Sequence, residues 1–153
     1  MGVSDLERVL AGCRLILLDT MVFSYHLAGH PRYVALTAAV LAAVETGRVN
    51  GIITAVTLAE ILTAPAKANN LRALQEYQVY LTQFPNLRLA PLDAASAVET
   101  ALVRAETGLR TPDAIQVAAA RVSGADAIIT NDRRWAGRVA RPALVMLEEF
   151  AEL

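Results

Sequence analysis

The stretch that most constrains the fold is the apolar run Leu-Ile-Leu-Leu at positions 15–18, which is followed by Asp19 and Thr20. Consecutive large apolar residues are typical of a strand covered on both faces, as in the parallel sheet of an α/β domain. Ligands of such sheets bind beyond the carboxyl ends of the strands. The run therefore predicts that Asp19 lies at the ligand-binding edge of a sheet, although an Asp after a strand can also cap the next helix.

Strand and helix patterns alternate along almost the whole sequence. Further strands are predicted at 49–54, 86–91, 127–130 and 142–147, and helices at 4–12, 21–27, 32–45, 55–62, 69–83, 93–108, 111–122 and 133–137. Ser4 is the predicted cap of the first helix, and Pro65 is expected to lie beyond the end of the fourth. This alternation predicts an α/β fold, a three-layer α/β/α domain with a mostly parallel five-stranded sheet. We expect one domain over residues 1–153, with residues 1–13 as a short helical extension.

Composition excludes several classes of protein. Hydrophobic residues make up 55% of the chain and charged residues 19%, which argues against disorder. No apolar run approaches the roughly 20 residues that cross a bilayer, and Asp5 and Glu7 lie where a signal peptide would be basic or apolar. We therefore expect a cytoplasmic protein without a membrane partner. Cys13 is the sole cysteine, so an intramolecular disulfide and a Cys-based metal site are excluded.

Two further acids are predicted at the same edge of the sheet as Asp19. Asp132 follows the strand at 127–130, and Asp113 occupies the first turn of a helix that opens at Thr111 and Pro112. Each has a plain structural alternative: Asp132 can cap a helix, and an acid in a first turn is favoured by the helix dipole. The helix after Asp113 is rich in small residues, which allows close packing on the sheet.

Glu60 is the fourth candidate acid. It lies on the helix after the second strand, opposite the face formed by Leu58, Ile61 and Leu62. A solvent-facing position is one interpretation. The other is burial, because Val56 and Ala59 make the rest of the helix apolar as well, and a buried carboxylate needs a partner or a metal ion.

Four carboxylates at one edge would repel one another unless a cation or a proton intervened. Oxygen ligands without Cys or His favour hard ions, so the expected cofactor is Mg²⁺ or Mn²⁺. A carboxylate-held divalent ion can activate water and stabilise the leaving oxygen in phosphodiester hydrolysis. The hypothesis is a metal-dependent nuclease.

Four segments resemble the PIN-domain family, and within it the VapC-like toxin ribonucleases. They are Leu-Leu-Asp-Thr ending at Thr20, Thr-Leu-Ala-Glu-Ile-Leu around Glu60, Thr-Pro-Asp-Ala-Ile-Gln-Val-Ala-Ala-Ala from Thr111, and Ile-Ile-Thr-Asn-Asp-Arg-Arg-Trp ending at Trp135. Their order and spacing are similar to the family's from Arg14 to about Leu147.

The resemblance implies strand order 3-2-1-4-5 and an acidic quartet that holds the metal ion and carries catalysis. The quartet is Asp19, Glu60, Asp113 and Asp132, with support from Thr20, Thr130 and Asn131. It also implies a metal-dependent endoribonuclease with RNA as substrate, which forms a homodimer and is held inactive by a small antitoxin protein in a type II toxin–antitoxin pair. Two alternatives stay open, a nuclease of RNA processing or repair without an antitoxin, and a non-catalytic PIN-like binding module.

Arginines follow the last acid of the quartet. Arg133, Arg134 and Arg138 could contact RNA phosphates, because the guanidinium group binds phosphate through paired donors. A solvated surface is the ordinary alternative for such a cluster.

Overall fold

The computed structural model of the chain describes residues 1–152, and within them seven α-helices surround a five-stranded sheet. The helices are α1 Val3–Ala11, α2 Thr20–Leu27, α3 Val34–Glu45, α4 Ala55–Lys67, α5 Leu71–Gln83, α6 Ala94–Thr107 and α7 Thr111–Ser123. The strands are β1 Leu15–Leu18, β2 Asn50–Ile53, β3 Leu87–Leu89, β4 Ala127–Thr130 and β5 Ala143–Met146. A 3₁₀ helix spans Leu147–Phe150. No helix of residues 1–152 has the length and apolar character to cross a membrane.

The sheet has strand order β3-β2-β1-β4-β5 and is parallel throughout. This confirms the predicted α/β/α fold and strand order. At its centre, Leu17 of β1 pairs with Ile52 on one side and Ile128 on the other. The amide of Asp19 continues the ladder with a 3.0 Å hydrogen bond to the carbonyl of Ile129. Asp19 therefore leaves the sheet beside the end of β4.

Alternating side chains of β1 supply two separate hydrophobic cores. Ile16 and Leu18 pack with residues of α1, α2, α3 and α5 on one face. Leu17 packs with residues of α6 and α7 and with Trp135 on the other. All three β1 residues are fully buried, as the continuous apolar run predicts for a central strand.

Gly51 lets α3 and β3 approach β2 closely. A Cβ atom at this position would lie 2.8 Å from Cδ1 of Leu87 and 3.2 Å from Cγ1 of Val44. Carbon atoms in contact are normally about 3.5–4.0 Å apart. The position therefore has no room for a side chain unless the neighbours move.

The prediction that Pro65 lies beyond the fourth helix is wrong. Pro65 is buried within α4, which continues to Lys67. A proline removes one helical hydrogen bond, but the bonding resumes at once, because Ala68 donates to Ala64 and Asn70 to the carbonyl of Pro65. The last turn of the helix therefore accommodates the proline.

Two other local predictions are corrected. Ser4 lies inside α1, because the helix begins after Gly2, whose amide donates a 3.0 Å hydrogen bond to Oδ2 of Asp5. The expected helix at 133–137 is a succession of turns. The amide of Arg134 bonds to the side chain of Asp132 instead of to a helical carbonyl, and Gly137 has a φ of +77° that ends any helical run.

Candidate functional site

Asp19 is one of the two predicted acids that are buried, the other being Asp132. The side chain of Asp19 caps α2 and is 7% exposed. Oδ1 accepts hydrogen bonds from the Thr20 amide at 2.8 Å and from Nε2 of Gln116 at 3.4 Å, and Oδ2 accepts one from Thr130 at 2.7 Å. A carboxylate can accept about four, so these bonds leave roughly one acceptor position on Oδ2.

The pKa of Asp19 is raised to about 6. Burial is the main cause, since it penalises the charged form. The hydrogen bonds from Thr130 and Thr20 oppose the rise, while the negative charges of Glu60 and Asp132 add to it. Asp19 is therefore a helix cap whose carboxyl group also interacts with the charges of other carboxylates.

Thr130 joins Asp19 to Asp132. Its side chain is fully buried at the end of β4, donates to Oδ2 of Asp19, and accepts a 3.1 Å hydrogen bond from the Asp132 amide. Asp132 is itself 6% exposed. The structure thus brings together the acids that follow β1 and β4, as their places at the carboxyl ends of adjacent parallel strands predict.

Gln116 is a member of the cluster that the sequence analysis did not identify. It lies on α7, is 2% exposed, accepts a 2.6 Å hydrogen bond from Thr54, and donates to Thr57 at 2.8 Å and to Asp19. Because an ionised Asp19 only accepts hydrogen bonds, the amide nitrogen of Gln116 must face it. The signal for this role is a single long polar residue in the small-residue run of α7, one turn after Asp113.

Thr20 and Asn131 both make polar contacts, but with different groups. The hydroxyl of Thr20 lies 3.0 Å from that of Thr57, which connects it to Gln116. Asn131 accepts a 2.9 Å hydrogen bond from the amide of Glu148 and so secures the 3₁₀ helix to the end of β4. Thr20 adjoins the acidic cluster, whereas Asn131 supports the segment that follows β5.

Arg134 lies between Asp132 and Asp113. Its Nε is 3.0 Å from Oδ1 and 3.1 Å from Oδ2 of Asp132, and its Nη2 also bonds to Oδ2. The same Nη2 is 3.6 Å from Oδ2 of Asp113, which Arg110 approaches to 3.7 Å. The hydrogen bonds and charge of Arg134 hold the pKa of Asp132 below its usual value.

Glu60 is exposed on α4, so the interpretation that this carboxylate is buried is wrong. The outer side of the helix is uncovered at Ala59, Glu60 and Thr63, although Ala59 is apolar. Its charge nevertheless contributes to the raised pKa of Asp19. Glu60 is therefore close enough to Asp19 for their charges to interact, but it lies on the solvent-exposed side of α4.

The predicted phosphate-binding arginines have separate environments. Arg134 contacts carboxylates, and Arg133 is largely exposed, 3.8 Å from Glu148. Arg138 is exposed on the last turn before Val139. Arg133 and Arg138 are therefore open to solvent, whereas Arg134 already contacts acids.

The cluster fits a hard divalent ion in its chemistry. Its donors are carboxylate oxygens, Asp19 retains an acceptor position, and Asp113 and Asp132 already attract a cationic group. Within residues 1–152, however, no group of three or more Asp, Glu, His or Cys side chains is close enough to hold a metal ion. Binding of a metal ion would therefore require the acidic side chains to move. Arg134 also contacts two of them, Asp113 and Asp132.

Comparison with known proteins gives one family and a consistent fold. The family model described as "PIN domain" matches residues 16–142. No curated protein sequence matches significantly. Among solved structures, that of VapBC2 from Rickettsia felis bound to a DNA fragment from their promoter is similar at 16% identity and TM-score 0.67, over 86% of this chain and 98% of the other.

Two further solved structures have the same fold. A toxin–antitoxin complex from Klebsiella pneumoniae is 21% identical with TM-score 0.62, over 86% of this chain and 97% of the other. FitAcB from Neisseria gonorrhoeae is 20% identical with TM-score 0.64, over 88% and 99%. At these identities the likeness is one of fold.

Proposed function

This chain belongs to the PIN domain family, and from that premise we propose that it is a divalent-metal-dependent endoribonuclease that hydrolyses RNA phosphodiester bonds. The observation that carries the proposal is Asp19, a buried carboxyl group whose pKa is raised to about 6 in part by neighbouring acids. Burying a carboxylate among others costs stability, and a bound cation would relieve that cost. The cluster would therefore gain stability from a bound cation.

In this proposal Asp19, Glu60, Asp113 and Asp132 hold Mg²⁺ or Mn²⁺. The bound ion would lower the pKa of water and stabilise the leaving oxygen of the phosphodiester. The chain's own contribution is orientation: Thr130 holds Oδ2 of Asp19, while the Thr20 amide holds Oδ1.

Gln116 fixes the remaining side of the cluster. Its amide bonds to Asp19 and Thr57, and Thr57 contacts Thr20, so α7, α4 and α2 are tied together around one carboxyl group. Every side chain in this set is part of a buried or half-buried hydrogen-bond network, which limits its rotation. Asp19 would therefore be held in place before substrate arrives.

The cleavage proposal is tested on single-stranded RNA with purified protein, in Mg²⁺, Mn²⁺ or EDTA. We expect wild type to cleave only with a divalent ion, and Asp19→Asn to cleave at background level. Asp93→Asn is the matched control, because Asp93 caps α6 with a 3.0 Å bond to the Ser96 amide and Asn is nearly as good a cap. Equal cleavage by wild type and Asp19→Asn, or cleavage that EDTA does not affect, would contradict the mechanism.

We further propose that the protein is the toxin of a type II toxin–antitoxin pair, cytoplasmic, dimeric and held by a small antitoxin. The support is likeness of fold to solved structures that include a toxin–antitoxin complex from Klebsiella pneumoniae. Induced expression in a bacterial host should arrest growth, and Asp19→Asn should not. Co-expression of the small protein encoded by a neighbouring gene should restore growth. Growth that is indifferent to the wild-type protein would favour a processing or repair role instead, and light scattering would test the dimer.

A further inference from the structure

Arg134 takes up the acceptor positions of Asp132 completely. Its backbone amide donates to Oδ1 at 2.9 Å, Nε is shared between both oxygens, and Nη2 bonds to Oδ2. A carboxylate offers about four acceptor positions. Asp132 therefore has none left for another cation while Arg134 stays in this conformation.

The guanidinium group also reaches a second acid from another element. Asp113 belongs to α7 and Asp132 follows β4, yet Nη2 of Arg134 lies within 3.6 Å of an oxygen of each. One cationic group thus bridges two of the carboxylates that the proposed function assigns to a metal ion. A metal ion bound to the same two carboxylates would lie close to the guanidinium group of Arg134. Two cations so close together repel strongly where little water screens them.

The exposed fractions of the three side chains indicate which of them can move away from the others. The side chains of Asp132 and Asp113 are 7% and 17% exposed, whereas that of Arg134 is 55% exposed. Arg121 gives a contrast within the same chain, since its side chain is 4% exposed between Glu99 and Glu106. Arg121 is enclosed by its partners. Arg134 covers its partners from the solvent side and has open space beside it.

We propose that Arg134 is the resident counter-cation of the acidic site, which holds Asp113 and Asp132 in place without metal and swings away when a divalent ion binds. This inference rests on the proposed function, because it assigns the ion to the same carboxylates. It makes Arg134 a positioning residue in the metal-free protein. It also means that the metal competes with the protein's own side chain, so that the measured affinity is weaker than the carboxylates alone would give.

Calorimetric titration with Mg²⁺ tests the competition. Removing the arginine in Arg134→Gln should tighten binding about tenfold, the effect expected of one charge-assisted, bidentate pair. Arg110→Gln is the matched control: Arg110 lies 3.7 Å from Asp113 and is 72% exposed, so its loss removes one nearby positive charge without freeing Asp132. Its effect should be no more than about twofold, as for an exposed ion pair. Equal tightening in the two variants would overturn the proposal, because only total charge would then matter.

Arg134→Lys provides a second, milder variant. It keeps the positive charge but loses the planar fork that engages both oxygens. Its affinity for Mg²⁺ should lie between those of wild type and Arg134→Gln. An affinity equal to that of wild type would contradict a role for the bidentate contact.

Nuclear magnetic resonance of the arginine side chains tests the movement itself. The Nε–H signal of Arg134, identified by its absence in Arg134→Gln, should be protected from exchange in EDTA and lose that protection at saturating Mg²⁺. A signal that Mg²⁺ leaves unchanged overturns the displacement. Asp19→Asn separates this failure from failure of the proposed function: if wild type and Asp19→Asn bind Mg²⁺ equally, or no protein binds it, the metal site itself is wrong and the inference falls with it.

Discussion

Replacing Asp19 with asparagine should make the metal-free protein more stable, by an amount that grows with pH. The carboxyl group is buried, and its pKa rises from an ordinary 3.8 to about 6 in the folded protein. Between these values the folded state binds a proton that the unfolded state has released. Stability therefore falls as pH rises through this window, because the buried group must then carry its charge.

The size of the effect follows from the shift. A difference of about two pKa units corresponds to roughly 3 kcal/mol, at about 1.4 kcal/mol per unit. This penalty is small at about pH 4, where the carboxyl group is protonated in the folded state and still partly protonated in the unfolded state, and complete above about pH 7. Asparagine is nearly isosteric and carries no charge. It should escape most of the penalty, with some loss because Asn has a single acceptor oxygen. If that oxygen faces the Thr20 amide, the amide nitrogen lies where Oδ2 accepts from the Thr130 hydroxyl, and a nitrogen donor cannot accept that bond.

The measurement is urea unfolding of wild type and Asp19→Asn in EDTA, at intervals from about pH 4 to pH 8. The difference in unfolding free energy between the two proteins should rise by roughly 3 kcal/mol across the series. The difference cancels the titration of groups that do not interact with Asp19. Asp93→Asn should change in the opposite sense, since hydrogen bonds from Ser96 lower the pKa of Asp93. A difference for Asp19→Asn that is independent of pH, or that falls as pH rises, would refute the reasoning.

Three other substitutions test the packing around the site. Gln116→Leu removes hydrogen bonds to Asp19 and Thr57; it should lower the free energy of unfolding by roughly 1–3 kcal/mol through unpaired buried groups, and an unchanged urea midpoint would contradict a structural role for the network. Trp135→Ala should cost about 3–5 kcal/mol, because the ring is 1% exposed in the core between the sheet and α7; a loss under about 1 kcal/mol would be inconsistent with that burial. Gly51→Ala should cost about 1–3 kcal/mol by overpacking, since its Cβ would lie 2.8 Å from Leu87; a thermal midpoint at or above that of wild type would show that the neighbours relax freely.

The sheet and its two central acids were predictable from local patterns. A continuous apolar run specifies a doubly covered strand, and the carboxyl end of such a strand fixes where Asp19 lies. Asp132 follows the same logic at the end of β4. These inferences succeed because the carboxyl ends of parallel strands lie at the same edge of the sheet, whichever helices surround it.

Features that depend on what covers a helix were not predictable in the same way. Burial of Glu60 was one of two interpretations, because its helix is apolar on several sides, yet no element covers the outer face of α4 at that residue. Gln116 and Arg134 owe their roles to partners far away in the chain, Asp19 for one and Asp113 for the other. Helical periodicity carries no information about such partners. Pro65 shows the same limit, since burial of its ring is a tertiary property.

The place of β1 between β2 and β4 has a consequence for the order in which the chain is made. In β1, Leu17 pairs with Ile52 of β2 on one side and with Ile128 of β4 on the other. The strand that leads to Asp19 is therefore synthesised before β4, and its second edge is paired only when β4 is available. Closing so long a loop is entropically unfavourable until the contacts it brings are made. A partly translated chain thus has Asp19 but neither Thr130 to orient it nor Asp132 beside it. For the RNA-cleaving enzyme proposed above, this topology would keep the acidic cluster incomplete until Asp132 has been translated.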